Sequence, residues 1–123
     1  MLKVHAKNLG NVAVLCLQGR IVKGETEMLR KALHSLSEVS AVILDLARVT
    51  AVDARGLGVM LELREQAESK GIRFELMNVT KLVRRVLEVT RLDSVFAVTS
   101  GVEFFPAVSR GRQASMPWLA SCA

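Results

Sequence analysis

Apolar and polar positions along the chain switch between two periods, and the switches mark out its elements. Residues 3–8 read as a strand and Leu9-Gly10-Asn11 as a tight turn. Residues 12–17 are apolar throughout, which fits a central strand buried on both faces. Residues 19–24 read as a loop. From Glu25 the period becomes helical: Leu29, Ala32, Leu33 and Leu36 share one face. Glu25 and Glu27 lie near the start of that helix, where its dipole favours negative charge. Residues 41–46 form the next strand. A second helix runs from about 54 to 70, with Leu57, Met60, Leu61 and Ala67 on one stripe and Glu62, Glu65 and Glu68 outward. Gly71 stops it. Residues 72–77 form another strand. Thr80 is an N-cap for a third helix over 81–89, whose buried face is Leu82, Val83, Val86 and Leu87. Residues 92–98 return to the core through Val95, Phe96 and Val98. A final helical turn over 102–105 ends at Pro106.

This order, β-β-α-β-α-β-α-β, predicts an α/β domain: a mixed sheet of four to five strands with flanking helices and right-handed crossovers. Residues 1–105 make that domain. Residues 106–123 change character, holding both prolines, three serines, Arg110, Arg112 and Trp118-Leu119. They read as a mobile tail, with docking of Trp118 and Leu119 on an apolar surface as the alternative.

Composition narrows the function. The chain has 123 residues, 50% of them hydrophobic and 24% charged, which supports a packed core and argues against disorder. Seventeen Lys and Arg against twelve Asp and Glu give a net charge of +5, which favours acidic partners or anionic ligands. Aromatic residues make up only 4%, with no Tyr, so the equipment for stacking bases is poor and nucleic acid is disfavoured. No apolar run approaches the roughly 18–20 residues that span a bilayer, and no signal peptide is apparent. A cytoplasmic location is expected. The two cysteines, Cys16 in an apolar run and Cys122 near the end, read as a buried small hydrophobe and a free tail thiol rather than a disulfide. His5 and His34 have no ligand-spaced neighbours, so no metal site is expected. No nucleophile–base constellation or phosphate-binding glycine pattern is present, so neither enzymatic activity nor a cofactor is expected.

The chemistry concentrates at residues 42–56. An apolar strand, Val42-Ile-Leu-Asp-Leu, is followed by Val49-Thr-Ala-Val-Asp-Ala-Arg-Gly, which places Asp53 through Gly56 at a helix N-terminus. Unpaired N–H groups there suit a phosphate or another anion. Asp53 can cap the helix itself, and Gly56 and Gly58 read as close-packing positions. Arg55 runs against the dipole, at a cost of a few tenths to about 1 kcal/mol if exposed. Its functional reading is a fixed positive contact to an acidic partner surface or an anionic ligand. Arg20, Lys23, Arg48 and Arg55 come from neighbouring strand ends and loops, where one basic patch is expected. Thr50, the hydroxyl just before the turn, is a substitute phospho-acceptor or, more simply, bonds local backbone.

These segments, with Gly71-Ile-Arg-Phe-Glu-Leu-Met-Asn-Val, Val83-Arg-Arg-Val-Leu-Glu-Val-Thr-Arg-Leu-Asp and Val95-Phe, resemble the STAS domain, the fold of bacterial anti-sigma factor antagonists. The likeness covers roughly residues 3–105. In phosphorylatable members the helix start reads Asp-Ser-Ser-Gly. An anti-sigma factor that is also a kinase phosphorylates one serine, and the modified antagonist lets go. Here the serine positions match Ala54 and Arg55, which cannot accept phosphate. Val22 stands where the family often has Asp, with Lys23 next, and Arg91 stands where a glycine commonly ends the third helix. The resemblance implies a regulatory module, independent of phosphorylation, that binds an anti-sigma factor or kinase-like protein through Val22, Lys23, Asp53, Ala54, Arg55, Gly56, Leu57 and Val59. The alternative is an accessory STAS domain of a sensory scaffold or transporter. A homodimer is compatible with either.

Overall fold

The computed structural model describes residues 2–36 and 38–99. Five strands and three helices follow one another as β1 (Lys3–Leu9), β2 (Val12–Ile21), α1 (Glu27–His34), β3 (Ala41–Val52), α2 (Ala54–Ser69), β4 (Arg73–Met77), α3 (Lys81–Val89) and β5 (Ala97–Thr99). The expected α/β order is therefore observed. The sheet order is β1-β2-β3-β4-β5, with β1 antiparallel to β2 and the remaining neighbours parallel. Gly10 takes φ +69° in the two-residue turn that joins β1 to β2, a conformation that suits glycine. The final helical turn expected at 102–105 and the tail at 106–123 lie outside the described residues.

Apolar side chains divide between the two faces of the sheet. Leu29 and Leu33 of α1, Leu57, Met60 and Leu63 of α2, and Val83 and Leu87 of α3 pack with Leu15, Leu17, Val42, Leu44, Phe74 and Leu76 in one large cluster. A smaller cluster joins Val12, Val14, Cys16, Ala41, Ile43 and Met77 from the strands. Alternate residues of β2 and β3 thus serve opposite faces, which is why both strands read as unbroken apolar runs. Cys16 is buried, as expected, but it is disulfide-bonded, where the sequence reading expected a small hydrophobe and no disulfide.

Several boundaries differ from the sequence expectation. β2 continues through Gly19 to Ile21, and β3 runs on to Val52, where a loop and a turn were expected. Pairing persists because ladder bonds use backbone alone, so Gln18, Arg20, Arg48 and Thr50 end the apolar run without ending the strand. Register shifts between Cys16 and Gln18 and between Gly19 and Arg20 give β3 an extra residue at each. Leu82 is not on the buried face of α3, being 47% exposed, and Val98 on the short edge strand is 53% exposed. Leu82 sits on the flank of its helix, and β5 lies at the margin of the helical layer. Phe96 fills the core in their place, its ring 6.4 Å from that of Phe74.

Candidate functional site at the start of the second helix

The parallel pairing of β2 and β3 brings the connections into α1 and α2 to the same end of the sheet. This is the C-terminal end of the parallel strands, the end of the sheet at which α/β folds commonly bind ligands. Asp53 organises it. Its Oδ1 accepts the Gly56 N–H at 2.7 Å, capping α2, and its Oδ2 accepts the Lys23 N–H at 3.0 Å. One carboxylate thus ties the loop after β2 to the first turn of α2. Those two N–H donors, Lys23 first and then Gly56, hold the Asp53 carboxyl below its ordinary range. The orphan N–H that could greet an external phosphate at Gly56 is already taken.

Gly56 fixes how closely α2 approaches. A Cβ there would lie 1.8 Å from the Ile21 carbonyl oxygen. The Asp53 N–H donates to that same oxygen at 3.2 Å. The helix start is therefore seated on the end of β2, and only glycine allows it. Gly58, two residues on, has nothing within 4 Å of its Cβ position. The expectation of close packing holds for Gly56 and not for Gly58.

α1 and α2 lie side by side. Arg30 Nη2 stands 3.2 Å from Glu62 Oε1, and His34 Nε2 stands 3.1 Å from Gln66 Oε1. Each helix advances four residues between the two contacts, so the axes run in the same direction. At their N-terminal ends a groove of about 550 Å³ opens, lined by Lys23, Gly24, Thr26, Glu27, Arg30, Ala54, Arg55, Gly58, Val59 and Glu62. Arg30 Nε is buried with no hydrogen-bond partner among the described residues.

Four residues singled out from sequence, Lys23, Ala54, Arg55 and Val59, meet on this groove. Lys23, Ala54 and Arg55 are exposed, while Val59 shows only its edge at 8% exposure. Asp53 and Val22 are half-buried and are not among the lining residues. Gly56 and Leu57 are buried beneath the helix start. Of the expected basic patch, Lys23 and Arg55 share the groove, whereas Arg20 pairs with Glu25 at 3.1 Å and, like Arg48, is not among the lining residues. The Thr50 hydroxyl donates to the Gly19 carbonyl at 3.2 Å, its simpler role. Gly24, Thr26, Glu27, Arg30, Gly58 and Glu62 were not foreseen as lining residues. Arg30, Gly58 and Glu62 each stand next to a core residue, Leu29, Leu57 and Leu63, a signal that means nothing until α1 and α2 are known to be neighbours.

Comparison with known proteins places this geometry. The STAS domain family model matches residues 3–110. A STAS-domain containing protein of Pseudomonas aeruginosa (strain UCBPP-PA14) is 25% identical over 91 residues, covering 73% of this chain and 90% of that protein. An anti-sigma factor antagonist from Mycobacterium paratuberculosis shares the fold with a TM-score of 0.72 at 20% identity, over 84% of this chain and 89% of that one. A sulfate transporter family protein from Wolinella succinogenes does so with a TM-score of 0.65 at 23% identity, over 72% of this chain and 75% of that one. Among the described residues no helix is long and apolar enough to cross a membrane. With the family model matched over residues 3–110 and the mixed five-stranded sheet with three helices agreeing with that fold, the chain belongs to the STAS domain family.

Proposed function

We propose that this protein is a non-catalytic regulatory module that binds an anti-sigma factor or kinase-like protein through the groove at the start of α2, without a phosphorylation switch. The observation that carries the reading is Arg55. It stands with Ala54 at the family's serine positions, exposed at the mouth of the groove beside Lys23. Neither cationic side chain makes an ion pair among the described residues. Phosphorylation elsewhere in the family would add about −1.5 to −2 charges here. A fixed cation does the opposite, so the preferred partner surface is acidic and the engaged state is the permanent one. Competition for the partner then releases whatever that partner otherwise holds.

The test is incubation with a candidate anti-sigma kinase and ATP, read by co-elution and intact mass. A stable complex with no mass gain is expected. Gly58→Gln should abolish co-elution while leaving the far-ultraviolet spectrum unchanged, because it fills the groove without touching the core. Phosphate gain, or a complex indifferent to Gly58→Gln, would sink the reading. The resemblance to the sulfate transporter family protein favours a second role, as an accessory domain in a transport or sensory assembly. That role predicts co-purification with assembly subunits and no competition with a sigma factor.

A further inference from the structure

We propose that the outer face of α3 is a peripheral docking surface for a bilayer carrying anionic lipid. The site is separate from the groove at α2. Lys81, Arg84, Arg85 and Arg91 lie exposed within eleven residues, and none makes an ion pair or side-chain hydrogen bond among the described residues. Arg30 of α1 and Arg64 of α2, by contrast, pair with Glu62 and Glu68. Glu88 follows Arg84 by four positions and Arg85 by three, yet it forms no ion pair with either among the described residues. Lys81 also opens the helix, where a cation opposes the dipole.

Beside these cations runs an apolar ridge. Leu82, Val86 and Val89 are spaced i, i+4 and i+7, with Leu82 47% and Val89 75% exposed. Val83 and Leu87 hold the opposite side in the core. Two protruding aliphatic side chains are far short of the roughly 800 Å² per partner that a stable protein interface buries. A second copy of the same face would set cation against cation. A fluid headgroup layer needs no matching shape: aliphatic tips enter it and long basic side chains reach its phosphates. Each Lys or Arg near an anionic surface strengthens partitioning roughly fivefold.

Arg91 adds an independent sign. It occupies the left-handed position that ends α3, at φ +59°, with Leu92 N bonded to Leu87 O at 2.8 Å and Arg91 N to Glu88 O at 3.1 Å. The same closing motif at the end of α2 uses Gly71, at φ +76°. A long cation is therefore kept where glycine is the unstrained choice.

The full chain is sedimented at low salt with vesicles of equal parts phosphatidylcholine and phosphatidylglycerol, and with phosphatidylcholine alone. Retention on the anionic vesicles only is expected. It should fall several-fold in Arg84→Gln/Arg85→Gln and in Val89→Ser, and rise in Glu88→Gln. Arg91→Gly separates docking from folding: it should melt no lower than the parent and yet bind less. Equal retention on both vesicle types, or retention unchanged in Arg84→Gln/Arg85→Gln, overturns the proposal. So does full displacement from anionic vesicles by soluble poly-glutamate at matched charge, which would reassign the face to an acidic protein.

Discussion

Gly56 and Gly58 stand two residues apart and should answer the same substitution in opposite ways. Gly56→Ala drives a methyl group into the Ile21 carbonyl, so the seat of α2 on β2 must open. A loss of stability of about 2–4 kcal/mol, in the range of severe core strain, is expected from denaturant unfolding. Gly58→Ala meets open space and removes the entropic penalty of a helical glycine. It should stabilise by about 0.5–1 kcal/mol in the same assay. Asp53 makes a prediction in pH. Its carboxyl is held below its ordinary value of about 3.8 by the N–H groups of Lys23 and Gly56. The folded state thus favours the charged form, and the stabilisation is complete above the ordinary value. It is lost as pH falls through the lower folded value. Asp53→Asn should flatten the acid limb of the stability curve below about pH 4 and leave its slope at neutral pH unchanged, as measured by thermal melts across pH.

Among the elements, helices were more legible than strand ends, for a physical reason. A helix announces itself by a period that polar residues on its far side reinforce. The capping Thr80 and the span of α3 were readable in full, and Thr80 Oγ1 accepts the Val83 N–H at 3.2 Å as a cap should. A strand ends where pairing ends, and pairing leaves no side-chain trace, so the extensions of β2 to Ile21 and of β3 to Val52 were invisible. The apolar stripe of α3 also misled at one residue. Leu82 fits the helical period yet lies on the flank. Leu82→Ala should therefore cost no more than about 0.5 kcal/mol, against about 2–5 kcal/mol for the fully packed Leu87→Ala, measured by chemical denaturation. Comparable losses would mean that Leu82 packs inward.

For the whole molecule, the fold and the position of the candidate site were written in local sequence, while its shape was not. Asp53, Ala54 and Arg55 could be placed at a helix start from the run of residues 42–56 alone. The groove they face exists because α1 and α2 are neighbours, and that is a consequence of the parallel order of β2, β3 and β4 rather than of any one motif. Arg30 and Glu62 are 32 residues apart, and no sequence rule joins them.

The shared direction of α1 and α2 carries a kinetic consequence. Two positive helix ends open on one groove together with Lys23 and Arg55. Their fields add at the mouth, where an approaching acidic surface is felt before contact. Complex formation should accelerate steeply as ionic strength is lowered, while dissociation changes little, because steering acts on encounter and not on the packed state. Stopped-flow association at several salt concentrations measures this directly. Arg55→Gln should lower the salt dependence of the association rate by more than it raises the rate of escape.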